Sequence, residues 1–358
     1  MIIYFVILGL VFLLGVMLKP NKNKKNKKLY LIIIFLLLAI VAAIRHESVG
    51  VDTSQFCNDY IRISKIDFKY LGSVMRYEYG FLYVCKLLTL ICSDPQILIV
   101  ISSIFINFAV IYFIYKQSDD VTLSCLMYVL LNYYFMYMNA MRQAIALGII
   151  LIFLSNYLND KKKLKYIFGV ILASLFHSSS LIMLVIPFLN KFKFKKNFIF
   201  YTVALFILIL PFTNNISNLL FSLSDKYGGY STTEFAVSNY VAAVFNLLVS
   251  LSFYILLMIN YDKAKDKLDN CYFYLTTFNV FLNLLTISST IFGRLTHYFS
   301  VYNIIIIPAV ISLVKDKNKR IKIRYAICTF IFIYWLVIAI NRPEWYGAIP
   351  YKFFWEGY

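Results

Sequence analysis

The stretch Val121–Lys165, VTLSCLMYVLLNYYFMYMNAMRQAIALGIILIFLSNYLNDKKKLK, holds two apolar runs, Val121–Met138 and Met141–Leu158, joined by the short polar tip Asn139–Gln143 and closed by a lysine cluster. Each run has nearly the length a helix needs to cross roughly 30 Å of hydrocarbon. The runs are continuous and do not alternate with period two, so they predict helices rather than the strands of a barrel. Lysine favours the cytoplasmic side of a membrane. With Lys161–Lys165 inside, the tip Asn139–Gln143 is outside, and Lys116, ahead of the first run, is inside again.

The same pattern extends through the chain. Of its 358 residues 61% are hydrophobic and 15% charged, too apolar a balance for one soluble core. The net charge of +18 would point to nucleic acid in a soluble protein. Here the lysines fall in short clusters between apolar runs, at Lys19–Lys28, Lys161–Lys165, Lys191–Lys196, Lys263–Lys267 and Lys315–Arg324, so the charge is a topological signal and no nucleic-acid partner is expected. The cysteines Cys57, Cys85, Cys92, Cys125, Cys271 and Cys328 form no CxxC pair, and neither a metal site, a disulfide framework nor a cofactor is expected. Met1–Leu18 has no basic segment before it and no small-residue cleavage site, which reads as an uncleaved anchor with its N-terminus outside.

Parity then predicts an all-α, polytopic transmembrane bundle of about twelve crossings, one transmembrane domain over residues 1–358 with both ends outside. Residues 45–96 form an outer loop with juxtamembrane helices. Within it Tyr79–Ile91 carries Lys86 and is followed by Asp94-Pro95, and reads as a re-entrant or juxtamembrane helix. Leu164–Phe176 and Leu181–Leu189 read as two helices of roughly 20 Å or less, meeting at an outer tip, Phe176–Ser180. A single span through His177 would instead put Lys191–Lys196 outside. Residues 213–238 form a second outer loop, residues 341–358 an outer tail, and Gly293–His297 a tight outer tip.

With that topology all three histidines and six of the eight arginines lie at the outer side, against the lysine trend. An arginine where the bias disfavours it is a functional-site hypothesis, and its forked donors suit phosphate. Arg62 and Arg342 also fit simple snorkelling to headgroups. Arg142 and Gln143 stand in a hairpin tip that has no structural need of them. Arg294 and His297 stand in another, and His177 precedes three serines. An anion clamp of Arg45, Arg142 and Arg294 beside a carboxylate base, Asp52 or Glu78, is equipment for glycosyl transfer from a phosphate-linked donor. Tyr227, Tyr230, Trp345, Tyr346, Phe353 and Trp355 are aromatic residues of the outer segments suited to stacking on sugars.

Four short motifs occur in order: Arg45 followed by Val49-Gly50-Val51-Asp52-Thr53, then Glu78-Tyr79-Gly80-Phe81, Met141-Arg142-Gln143-Ala144-Ile145-Ala146, and Phe176-His177-Ser178-Ser179. In that order and spacing they resemble the EpsG family of Wzy-like polymerases, densely in the first half of the chain and in the second half by topology and Arg294. The resemblance implies a polymerase of exopolysaccharide, capsule or O-antigen at the outer face of the bacterial cytoplasmic membrane. Its substrates would be undecaprenyl-diphosphate-linked repeat units, and its partners membrane lipid and the flippase and chain-length regulator of the same pathway. Asp52, Glu78 and His177 would be catalytic, and Arg45, Arg142, Gln143, Arg294 and His297 would bind the diphosphate. The family is also similar to GT-C glycosyltransferases, where an acid on the first outer loop is catalytic, as Asp52 would be. No Asp-x-Asp is present, so arginine rather than a divalent metal would neutralise the leaving group. The alternatives are a flippase for lipid-linked sugars, which would carry ionisable groups at mid-membrane and internal repeats, and a membrane O-acyltransferase with His177 as base.

Overall fold

Polar residues punctuate the apolar runs where helices start and stop. In the computed structural model, which describes residues 1–212, 215, 240–287 and 291–356, α1 (Ile2–Leu18) ends at Lys19, whose left-handed backbone returns its N–H to Gly15. Asn23 caps α2 (Lys24–Ala43) by accepting the Lys25 N–H, so lysines fill the first turns and apolar residues the rest. The expected loop 45–96 contains α3 (Thr53–Ser64), α4 (Leu71–Val74) and α5 (Tyr79–Thr89). At 11 residues α5 is about 16 Å long, half the hydrocarbon thickness. Lys86 on α5 donates to the carbonyls of Ile63 at 3.2 Å and Ser64 at 2.9 Å. It thus satisfies orphan carbonyls at the end of α3, which accounts for a charge in an apolar segment.

α6 (Gln96–Gln117) packs along α2 and along α9 (Met141–Asp160). Between them Asp120 caps α7 (Val121–Leu130) by accepting the Leu123 N–H. The run Val121–Met138, expected as one helix, bends by 52° into α8 (Tyr133–Asn139). Asn132 makes the break with φ +63°, a left-handed conformation that asparagine tolerates better than branched residues. Only Ala140 separates α8 from α9. α10 (Lys163–Ser174) doubles back along α9, with Gly169 tight against the Phe153 ring, and the 3-10 run Ser178–Val185 returns past it, where Tyr166 Oη donates to the Met183 carbonyl at 2.9 Å.

Among the described residues five helices are individually long and apolar enough to cross a membrane: Lys24–Ala43, Gln96–Gln117, Met141–Asp160, Val241–Ile259 and Lys317–Asn341. Two bent pairs, α7 with α8 and Phe292–Ser300 with Asn303–Ser312, raise the number to seven if each is one span. Ile2–Leu18, Tyr79–Thr89, Ser178–Leu189 and Phe198–Phe212 are shorter apolar helices. Among the described residues the structure is helical apart from turns and an isolated bridge between Arg45 and Phe353. The expected loop 213–238, with Tyr227 and Tyr230, lies outside the described residues except for Asn215.

The chain forms two compact units, Met1–Met183 with Asp316–Tyr358, and Leu184–Lys315. In the first, hydrogen bonds tie the helix ends into two separate groups. Lys27 donates to the Ser118 carbonyl, Asn26 to that of Leu18 and Gln117 to that of Ser155, and Arg324 pairs with Asp120 at 3.1 Å. Those contacts gather the lysine-bearing ends. At the other end Gln96 donates to the Ala43 carbonyl and Asn139 takes the Val51 N–H. The C-terminal tail closes over that end: the Gly50 N–H reaches Gly347, Asn139 reaches Tyr346, the Phe354 N–H reaches Ile44, and Tyr4 Oη reaches Ala348 at 2.7 Å.

In the second unit Asn270–Thr286 packs on Tyr240–Ile259 and Phe198–Ile209, and Asn270 binds the backbone of Phe192 and Phe194. Arg294 and His297, expected in a tight tip, lie within the helix Ile291–Ser300. One glycine costs a helix only about 1 kcal/mol. Burial of Phe292, Tyr298 and Phe299 outweighs it, so Gly293 does not turn the chain.

Candidate functional site

The turn that aims Glu78 begins with a close approach of backbone. The Gly80 and Phe81 N–H groups, unpaired within the first turn of α5, both donate to the Leu175 carbonyl just beyond α10, at 2.9 and 3.3 Å. A Cβ on Gly80 would stand 2.7 Å from that oxygen, so the approach requires glycine. Glu78, preceding α5, is thereby set against His177 and Ser178.

The Glu78 carboxylate is buried and shared. Oε2 accepts a hydrogen bond from Arg142 Nη1 in the first turn of α9. Oε1 accepts from the Ser178 N–H and hydroxyl, both at 3.2 Å, and lies 3.8 Å from His177 Nδ1. Burial by itself would raise the Glu78 pKa. His177 and the Arg142 charge outweigh it and hold the carboxyl down at about 2, ionised at any physiological pH. The Arg142 guanidinium lies over the Tyr77 ring, 4.4 Å from its centroid. Tyr77 Oη in turn donates to the buried carboxylate of Asp59, which Arg62 flanks at 3.5 Å. Burial and the bond to Asp59 push the Tyr77 phenol above its ordinary range.

Glu78, Arg142 and His177 therefore meet. Gln143 follows Arg142 on α9 and is buried. Asp52 precedes Thr53 at the start of α3, on a loop held by the Val51–Asn139 bond. It stands about 10 Å, two helical turns, before Asp59 on the same face of α3. Arg45 is placed differently: only 1% exposed, it donates to the carbonyls of Ala42 and Met138 and to Ser103 Oγ. It lines a cavity of about 10 Å³ with Asn107 and Tyr137, room for a water molecule and not for a diphosphate. Arg294 and His297 share one helix face three residues apart in the second unit.

Tyr77 and Asp59 belong to the cluster although the motifs did not select them, and Ser178 joins it from within the Phe176–Ser179 motif. Tyr77 adjoins Glu78 in the chain, the one local signal for it. Among the described residues no three His, Cys, Asp or Glu side chains gather as metal ligands do.

The residues 28–353 match the EpsG family. The chain belongs to the EpsG family. That places nearly its whole length among Wzy-like polymerases, the second unit included. No curated protein and no solved structure matches it. All of the cluster from Asp59 to Ser178 lies within the EpsG match.

Proposed function

We propose that this EpsG-family protein is a polysaccharide polymerase that joins oligosaccharide repeat units carried on undecaprenyl diphosphate, at the outer face of the bacterial cytoplasmic membrane, to build exopolysaccharide, capsule or O-antigen. The observation that carries the proposal is the meeting of Arg142, Glu78 and His177 at the end of the first unit opposite the Lys24–Lys28 cluster. In the reaction the acceptor hydroxyl oxygen forms a bond to the anomeric carbon of the growing chain. The bond from that carbon to the diphosphate breaks, its electron pair leaves with the diphosphate, and the hydroxyl proton passes to His177. Arg142 stabilises the negative charge that grows on the leaving group. Glu78, with its pKa held near 2, is too weak a base to take a hydroxyl proton. Its role is to position: it fixes the imidazole and the guanidinium together, as a carboxylate does for a catalytic histidine. Facing the lysine-bearing end to the cytoplasm puts the cluster outside.

Purified protein in detergent, given undecaprenyl-diphosphate-linked repeat units, should lengthen glycans, and Arg142→Ala and His177→Ala should each stop elongation while remaining folded. Absence of elongation by the unaltered protein, or long chains from both variants, would overturn the assignment.

A further inference from the structure

Away from the cluster, α2 and α6 enclose a groove of about 520 Å³ near the lysine-bearing end of the first unit. Its walls are Ile32 and Leu36 of α2 and Phe108, Ile111 and Tyr115 of α6, with Lys28 at one end and every other lining side chain aliphatic or aromatic. The walls are open to the surroundings, Ile32 being 56% and Phe108 48% exposed. From Lys28 to Leu36 is about 12 Å along α2, close to the depth of one leaflet's share of a roughly 30 Å hydrocarbon core.

The charges at the mouth are sorted. Lys27 is turned inward, donating to the Ser118 carbonyl at 3.1 Å with its ammonium over the Tyr115 ring, and Lys116 lies over Tyr112. Lys24 and Lys28 are exposed and four residues apart, hence on one face of α2 above the groove. They stand in the first turns of a helix, where the backbone also favours an anion. A concave apolar wall one leaflet deep, ending in two lysines and a helix N-terminus with no acid lining it, complements a lipid whose headgroup is anionic.

We propose that the α2–α6 groove is a binding site for an acidic phospholipid of the leaflet at the lysine-bearing end, with an acyl chain along Ile32, Leu36 and Phe108 and the phosphate at Lys24 and Lys28. The site is separate from the Glu78 cluster and independent of the reaction proposed there, since a diphosphate reacting at that cluster places its headgroup at the other end of α2.

The test is native mass spectrometry of the full-length protein in detergent with equal amounts of phosphatidylglycerol and phosphatidylcholine of identical acyl chains. About one phosphatidylglycerol per chain should be retained with roughly tenfold preference, since lysines at a membrane surface each favour anionic lipid. Lys24→Gln with Lys28→Gln should remove the preference. Ile32→Trp, which fills the groove, should lower retention of both lipids. Lys193→Gln with Lys195→Gln, the same loss of charge elsewhere, should leave the preference intact. Equal retention of the two lipids by the unaltered protein, survival of the preference in the Lys24/Lys28 variant, or an equal fall in the Lys193/Lys195 variant would overturn the site.

Discussion

Arg142 and Arg45 look alike in the sequence, each a lone arginine on the side where lysine is scarce, yet the regions around them differ in kind. Arg142 faces a carboxylate, leans on an aromatic ring and keeps part of its side chain, 19%, in reach of solvent. Arg45 is sealed behind the tail, where burial lowers its pKa to about 10, and its partners are backbone carbonyls near the ends of α2 and α8 and a serine. Carbonyls at helix C-termini carry partial negative charge, so Arg45 joins two helix ends as a cation without an acid. The same guanidinium fork is a rivet in one region and, in the proposed reaction, a handle for an incoming anion in the other. A buried charge held by main-chain carbonyls and one serine hydroxyl is evidence for architecture. A guanidinium held by a carboxylate that also faces a histidine is evidence for chemistry.

The difference should show most strongly in stability. Arg45→Met leaves the Ala42 and Met138 carbonyls and the Ser103 hydroxyl without their donor and should destabilise the protein by at least about 3 kcal/mol, read as a lowered unfolding midpoint and early aggregation on size exclusion in detergent. A variant that stays as stable as the parent and loses only elongation would move Arg45 into the reaction and break the contrast. Arg142→Lys should do the reverse. It keeps the charge but loses the planar fork and the stacking on Tyr77, so elongation should fall about a hundredfold with the midpoint little changed.

Acid should separate the regions further. Glu78 is depressed from 4.5 to about 2, so its share of stability is present above pH 4.5 and is lost as the pH falls from there through 2. Glu78→Gln should flatten the dependence of the unfolding midpoint over that window, whereas Arg45→Met should lower the midpoint at every pH and leave its slope in place. The smallest effect is expected from Gly80→Ala. Its methyl would press on the Leu175 carbonyl and shift Glu78 from His177, costing about 1 kcal/mol of stability and a fewfold loss of elongation. An unchanged rate would show that the spacing between those two side chains is not critical.

Much of the scaffold was legible before the fold was known. Apolar run length marks the long helices, and the lysine clusters sort their ends as the Lys27, Asn26 and Arg324 contacts do. The bend at Asn132 was not, because a left-handed residue inside an apolar run leaves no trace in hydropathy. Nor was the helical setting of Arg294, since a glycine beside an arginine marks a turn only when nothing buried depends on continuing the helix. In the site, the motifs containing Glu78, Arg142 and His177 pointed to residues that do meet. The fate of Arg45 was hidden because it is settled by Met138 and Ser103, 93 and 58 positions away. Asp59 and Tyr77 were overlooked for the same reason: an acid that steadies an arginine through an intervening ring has no fixed spacing to either.

The closing of the tail over the Arg45 end has a consequence for the order of synthesis. Tyr4 binds a carbonyl 344 positions later, and Asn139 one 207 positions later. A nascent chain threading into the membrane therefore holds its first helix and the loop before Asp52 in provisional positions until residues 346–348 have been made. Contacts of such range form slowly, and a chain released early by a stalled ribosome lacks the segment that locks the loop. Locking of the Arg45 end therefore waits on residues 346–354, although the helices that it closes over are made long before.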